Sequence, residues 1–114
     1  QVFYRGGEWF TGRRYTTGSG TCTVTITDRL LRITSTAAPV AVQLIALTST
    51  TTKQARISVR DESYAANANN ITVKPPSGKK LNNVVDGTAI INTAGGRWQG
   101  YEDENGDWHT MLLA

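Results

Sequence analysis

The residues best suited to chemistry in this sequence are few and lie far apart. His109 is the single histidine and Cys22 is the single cysteine. A hydrolase needs its nucleophile within hydrogen-bond reach of a base. The alternating segment around His109 indicates a surface or interface position, and Cys22 falls on the apolar side of a strand pattern, where a buried thiol is unreactive. We therefore expect no Cys22–His109 dyad and no enzymatic activity.

Four carboxylates near the end of the chain form an acidic tip. They are Glu102, Asp103, Glu104 and Asp107. Such a group could hold Ca²⁺ or act as a glycosidase pair. The segment lacks the alternating ligand spacing of a calcium loop, and its Asn105-Gly106 pair is what a tight hairpin turn requires. The sequence predicts a turn here, with no metal ion and no cofactor.

Aromatic side chains in the second half of the chain could contact carbohydrate, because sugar rings stack on exposed aromatic rings. The four candidates for glycan contact are Tyr64, Trp98, Tyr101 and Trp108. The alternative for Trp98 and Trp108 is that they cap the core or seal a subunit interface. The sequence leaves both possibilities open.

Residues 1–19 differ from the rest by their aromatic and glycine content. The glycines interrupt any helix, so this segment is predicted to be an extended arm or a short hairpin. An aromatic-rich arm seldom stays in water unless it packs on something. It is therefore interpreted as a docking segment or oligomer interface, through Phe3, Tyr4, Trp9, Phe10 and Tyr15.

The same arm contains residues that could contact single-stranded nucleic acid. Arg13 and Arg14 lie beside Tyr15, and stacking next to basic groups suits such a ligand. One short basic cluster is weak support, however, and the remaining Lys and Arg residues are scattered along the chain. Nucleic acid is not an expected partner.

Residues 20–114 have the periodicity of β-strands. Cys22, Val24 and Ile26 alternate with threonines, and similar alternation recurs at intervals of about 8 to 12 residues with no sustained helical period. The fold is predicted to be all-β, a small antiparallel β-sandwich or barrel of short strands. The predicted core residues are Val40, Val42, Leu44, Ile57, Val59, Ile71, Val73, Ile90 and Trp98.

Size and composition suggest a small interior. The chain has 114 residues, of which 39% are hydrophobic and 18% charged, with a formal net charge of +3. A domain of this size buries only about two thirds of its unfolded surface. No stretch reaches the roughly 18 apolar residues of a membrane span, so no membrane partner is expected. We expect the core to be completed by identical copies of the chain.

The order of several short phrases within residues 20–112 is more specific than any one of them. They are Asn69-Asn70-Ile71-Thr72-Val73-Lys74-Pro75, Asp86-Gly87, Ile90-Ile91-Asn92-Thr93 and Asn105-Gly106-x-Trp108. This order resembles the small β domains that recur in the fibres, spikes and appendages of tailed bacteriophages. The chain departs from their usual Ile-Asp-Gly phrase by reading Val85-Asp86-Gly87.

The resemblance implies a protein of the phage particle surface without a catalytic site. It implies a tail-fibre or capsid-decoration component, usually a homotrimer, that contacts other virion proteins and either braces the particle or attaches to a host-surface glycan. Since the chain begins at Gln1 rather than Met, we expect a processed chain or part of a longer one. A stand-alone carbohydrate-binding module and a single-stranded nucleic-acid-binding β-barrel remain as alternatives.

Overall fold

The computed structural model describes residues 2–5, 8–15, 20–24, 30–46 and 56–114, with side chains from residue 20 onward within these ranges. Every regular element in these ranges is a β-strand, which confirms the all-β prediction. The strands are β1 (Val2–Arg5), β2 (Glu8–Tyr15), β3 (Gly20–Thr23), β4 (Leu30–Ile33), β5 (Val40–Gln43), β6 (Arg56–Asp61), β7 (Ile71–Lys74), β8 (Lys80–Leu81), β9 (Val84–Val85), β10 (Ala89–Ile91), β11 (Arg97–Glu102) and β12 (Trp108–Leu113).

The strands form two mixed sheets. The larger has the order β1-β2-β4-β6-β11-β12-β8-β9 and the smaller has the order β10-β7-β5-β3. From β2 to β7 the chain alternates between the two sheets, and each return to a sheet is parallel to the previous visit. Strands β10 and β11 then add antiparallel to β7 and β6.

The prediction of an antiparallel fold is therefore wrong for the central strands of both sheets. The alternation of apolar residues shows which face of a strand is buried, but it does not show the direction of the neighbouring strand. A chain that crosses to the other sheet between two strands can return in the same direction, whereas a tight hairpin cannot. The antiparallel expectation holds for the hairpin of β11 and β12 around Asn105-Gly106.

The core lies where alternate residues of both sheets meet in one cluster. Strands β4, β5, β6 and β7 each present two hydrophobic side chains to it. Eight of the nine predicted core residues are buried, namely Val40, Val42, Leu44, Ile57, Val59, Ile71, Val73 and Trp98. The prediction for the ninth, Ile90, is wrong. Its side chain is 42% exposed, and its neighbours Ala89 and Ile91 point inward instead. A period of two permits either phase, and a shift of one residue exchanges the faces.

Two tryptophans give the chain an interior of its own. Trp98 and Trp108 are fully buried, with ring centroids 6.3 Å apart and planes inclined by 47°. Gly100 makes room for Trp98, since a Cβ there would overlap the Trp98 ring. The radius of gyration, 13.2 Å, is that of a compact single domain of this length, about 13 Å. One chain therefore encloses a core of its own, and the completion of that core by copies stays a prediction.

The backbone of the N-terminal arm continues the larger sheet. Strands β1 and β2 form an antiparallel hairpin in which Phe3 faces Phe10 and Tyr4 faces Trp9 in register, and Tyr15 is paired with Ile33 of β4. The hairpin was one of the two forms predicted for residues 1–19. The side chains of the five predicted docking residues lie outside the described part, so their docking role stays a prediction.

The described ranges contain no helix with the length and hydrophobicity that a membrane span requires.

Candidate functional site

A buried carboxylate organises the loop that follows β6. Asp61 ends that strand and has no exposed surface. Its Oδ1 accepts hydrogen bonds from the Ser63 N–H at 3.0 Å, the Tyr64 N–H at 3.1 Å and the Ser63 hydroxyl. Its Oδ2 accepts from the N–H groups of Ala66 at 3.0 Å and Gly95 at 3.1 Å. One side chain therefore fixes residues 62–66 to the turn before β11.

Burial acts to raise the pKa of Asp61, because it penalises the charged form. The hydrogen bonds to its two oxygens outweigh burial and hold the pKa below its ordinary value of 3.8. The carboxylate is therefore ionised and hydrogen-bonded at neutral pH. Its role is to support the loop.

The loop presents Tyr64, which is 59% exposed. Its φ of 58° is unusual for an aromatic residue and costs on the order of 1 kcal/mol or more. A Cβ on Gly95 would come within 2.5 Å of the Tyr64 Cε1 atom, so the ring packs directly against the Gly95 backbone. Arg60 donates a hydrogen bond to the Tyr64 hydroxyl at 3.3 Å. Tyr64 is thus an exposed aromatic ring held in a strained position by buried contacts.

Asparagine tolerates a left-handed backbone better than most residues, and asparagines stand later in this loop at positions 67, 69 and 70. The left-handed residue is Tyr64, whereas the asparagine pair with positive φ is Asn82-Asn83, at 53° and 69°. The composition of the loop does not predict the left-handed backbone of Tyr64, because the contacts that hold this residue come from Asp61 and Gly95.

Three arginines lie on the outer face of the larger sheet, the face turned away from the core, and one of them, Arg60, contacts Tyr64. Arg60 and Arg97 are direct cross-strand partners on β6 and β11, and Arg56 lies on the same face of β6, opposite Tyr101. We call Arg56, Arg60 and Arg97 the basic face. None of the three forms an ion pair with another described residue.

A fourth arginine on the same face, Arg32, has its charge neutralised by a carboxylate. Arg32 of β4 is the register partner of Arg60 on its other side. Its guanidinium binds the Glu62 carboxylate in a two-pronged contact, with Nε–Oε2 at 2.7 Å and Nη2–Oε1 at 2.9 Å. This pair raises the pKa of Arg32 above its already high ordinary value. The arginines of this face that lack a described counter-ion therefore lie on β6 and β11.

A second polar cluster lies at the β11–β12 turn. His109 Nε2 is 2.8 Å from Asp103 Oδ2, and the His109 ring stacks on Tyr101 with centroids 5.1 Å apart. The other Asp103 oxygen accepts the N–H groups of Asn105 and Asp107 at 2.9 and 3.0 Å. Gly106 adopts a φ of 82°. The predicted tight turn is confirmed, and its carboxylate caps the turn.

The pKa of Asp103 tests this cluster. Partial burial raises that pKa, while the contact with His109 and the two backbone hydrogen bonds lower it by more, so it lies below 3.8. Replacing His109 with phenylalanine keeps a ring against Tyr101 but removes the nitrogen. We expect the Asp103 pKa to rise towards 3.8 in His109→Phe, as measured by carboxyl NMR titration. Exchange of Tyr101 for phenylalanine, which leaves the His109 nitrogen in place, is the control; an equal rise there would show that the His109 contact is not the cause.

Two of the four predicted glycan contacts are core residues. Trp98 and Trp108 have no exposed surface for a sugar ring, and the Trp98 Nε1 donates to the Thr110 hydroxyl at 2.8 Å. Because both are buried, the prediction that they stack on sugar rings is wrong. They fill the core, which was the alternative role predicted for them. Tyr101 is half-buried against His109. Tyr64 alone of the four is largely exposed.

The remaining chemistry-bearing residues are distributed over separate elements. Cys22 is buried on β3 of the smaller sheet, and His109 lies on β12 of the larger one. Glu102 is fully buried at the end of β11, whereas Asp107 accepts the Lys80 N–H at 2.9 Å. No three His, Cys, Asp or Glu side chains of the described ranges are grouped as metal ligands.

Taken together, these observations define an all-β protein with a basic outer face beside one rigidly held tyrosine. Such a surface can bind an anionic group through the guanidinium groups and a ring through Tyr64. Neither a protein-family model nor a curated protein matches this chain.

Proposed function

We propose that the chain is a non-enzymatic structural module of a tailed-phage particle, a tail-fibre or capsid-decoration component that forms a homotrimer and contacts host-surface glycan. Its two sheets would face each other as a small β-sandwich, because one core cluster takes residues from both. The module would meet other virion proteins through the arm at residues 1–19. The proposal places the protein at the surface of the virion.

The observation that carries the proposal is the edge strand β9. It consists of Val84 and Val85, which are 58% and 57% exposed. Proteins protect a sheet edge with short strands, charges, proline or bulges, since an open edge invites another chain to pair. Strand β9 is short, but it has no charged residue and no proline. Within the described residues, β8 is the only strand that pairs with β9. Two adjacent exposed valines on an open edge favour a surface that a copy covers.

The backbone of this edge is also available. The β8–β9 hairpin turns through Asn82-Asn83, whose positive φ values are those of a tight two-residue turn. The Asp86 N–H donates to the Lys79 carbonyl at 2.9 Å. Because successive residues in an antiparallel ladder point their N–H groups to opposite sides, the Val85 N–H points away from β8. It is therefore positioned to pair with an added strand.

The sequence phrases that resemble those of phage fibre domains lie on strands and turns of residues 20–114. The Asn-x-Ile-Thr-Val-x-Pro phrase covers β7, which pairs with both β5 and β10. Asp86-Gly87 closes the hairpin next to the exposed valines, and the Gly87 N–H donates to the Val84 carbonyl at 3.0 Å. Asn105-Gly106 forms the turn before Trp108 of the core. This agreement supports the resemblance without identifying a family.

The test is the molar mass of the purified chain by light scattering. We expect three chain masses for the wild type and one for the double variant Val84→Lys/Val85→Lys, because two lysines on an edge strand oppose pairing. The matched control is Asn92→Lys/Ala94→Lys, which adds the same charge at exposed positions after β10 and should remain trimeric. A wild type that stays monomeric at high concentration would overturn the proposal.

A second candidate function is a stand-alone carbohydrate-binding module. The observation in its favour is the filled core, which lets one chain be stable alone. Such a module would be monomeric with or without the valine substitutions and would bind glycan through Tyr64. The mass measurement therefore separates the two candidates.

A further inference from the structure

The arginines of the basic face are arranged in a way that destabilises the sheet. Arg60 and Arg97 are direct cross-strand partners, and like charges in that relation destabilise a sheet. Arg32 on the other side of Arg60 has Glu62 as its counter-ion, but Arg56, Arg60 and Arg97 form no ion pair with any described residue. A repulsive arrangement next to a strained residue is typical of a binding site.

The spacing of these charges suits an extended anionic ligand. Neighbouring strands lie about 4.8 Å apart, and four residues along a strand span about 13 Å. Arg56 and Arg60 are that far apart on β6, and Arg97 is the neighbour of Arg60 on β11. Arginine binds carboxylate and phosphate through paired N–H groups. The face can therefore engage two anionic groups separated by a sugar unit or two.

The tyrosine beside the row supplies the second element of recognition. The Arg60 guanidinium donates to the Tyr64 hydroxyl, so cation and ring are positioned together. The Tyr64 ring packs on Gly95 and remains 59% exposed. A pyranose can stack on such a ring while its acidic substituent reaches the arginines.

We propose that the basic face, together with Tyr64, binds an acidic polysaccharide, meaning a glycan that carries carboxylate or phosphate groups on its sugar rings. The inference rests on the glycan-contact part of the proposed function and specifies its ligand class. Single-stranded nucleic acid fits less well, since it needs successive aromatic platforms along a groove. Among the side chains from residue 20 onward that the structure describes, Tyr101 is already stacked on His109, which leaves Tyr64 as the one platform on this face.

The experiment measures binding of the full chain to defined oligosaccharides by calorimetry and NMR. Oligogalacturonate supplies carboxylates, and its methyl ester has the same sugar backbone without charge. A phosphomannan oligosaccharide supplies phosphate, and oligo-dT tests nucleic acid. We expect at least one of the two acidic oligosaccharides to bind, and a carboxylate ligand to lose at least tenfold in affinity on esterification. Affinity should fall as salt is raised.

Two variants of equal charge change test the assignment to this face. Arg60→Gln/Arg97→Gln should weaken binding of the acidic oligosaccharide at least tenfold while leaving the melting temperature unchanged or higher, because the repulsive pair is removed. Lys74→Gln/Lys79→Gln removes two exposed charges elsewhere and should change affinity less than threefold. Tyr64→Ala should weaken binding of the acidic oligosaccharide with little change in its salt dependence.

Three results would overturn the inference. They are equal affinity for oligogalacturonate and its ester with no binding of the phosphomannan, the absence of binding by both acidic oligosaccharides at millimolar concentration, and tighter binding of oligo-dT than of either. The outcome is independent of assembly. A monomer that binds acidic glycan would contradict the proposed homotrimer and support the inference about the ligand. A trimer that binds neither acidic oligosaccharide would support the homotrimer and contradict the inference.

Discussion

Asp61→Asn is expected to lower the free energy of unfolding by about 3 kcal/mol or more. The amide of asparagine can keep one accepting oxygen, but its NH₂ group would then face the N–H groups of Ala66 and Gly95, which Oδ2 accepts in the wild type. Each buried donor left without an acceptor costs about 1–3 kcal/mol. Urea unfolding at neutral pH measures the loss. The loop that carries Tyr64 should lose its protection from hydrogen exchange first.

Asp86→Asn is the matched control. Asp86 is an exposed turn residue whose Oδ1 accepts the Gly78 N–H at 2.9 Å. Asparagine can keep that hydrogen bond through its own oxygen and tolerates the positive φ of 54°. We expect a change below about 1 kcal/mol. Equal losses in the two variants would contradict the role assigned to Asp61.

The stability difference between wild type and Asp61→Asn should also depend on pH. The pKa of Asp61 is lower in the folded chain than its ordinary value of 3.8. The stabilisation from its ionised form is therefore complete above that ordinary value and is lost as the pH falls through the folded-state pKa. The gap between the two proteins should close below about pH 4. A gap that stays constant down to pH 2 would show that ionisation of Asp61 does not matter.

Trp98→Ala should have a comparable or larger effect. Removal of a fully buried aromatic side chain costs about 3–5 kcal/mol, and Trp98 also donates to the Thr110 hydroxyl. In a chain of this size the melting temperature should fall by more than about 10 °C. Thermal unfolding followed by circular dichroism measures the shift. The same truncation at exposed Tyr64 should cost less than about 1 kcal/mol, and a loss at Tyr64 equal to that at Trp98 would contradict the placement of the core.

Much of the core was predictable because burial follows the alternation of residues along each strand. Val40, Val42 and Leu44 show the pattern, and they occupy the face that the pattern assigns. Ile90 failed because a strand of three residues with adjacent apolar positions has two equally good phases. The tight turn at Asn105-Gly106 was predictable for a local reason, since its chemistry lies within the turn itself.

The candidate site was less predictable because it depends on pairing over long separations. Arg60 and Arg97 become neighbours only through the register of β6 with β11. Tyr64 depends on Gly95, more than two dozen residues away, and on the buried Asp61 carboxylate. One signal was present: Arg32 and Arg60 each follow an inward apolar residue, which places them on the outer face of their strands. Their common row follows only from parallel pairing, which residue patterns do not specify.

The amide of Val85 tests the central claim, that a copy of the chain covers the edge of the larger sheet. Its N–H points away from β8 and meets no strand of the same chain within the described residues. Hydrogen exchange at this amide, followed by NMR over a dilution series, should show protection at high protein concentration and its loss on dilution. Exchange at the rate of an open amide at every concentration would contradict the claim.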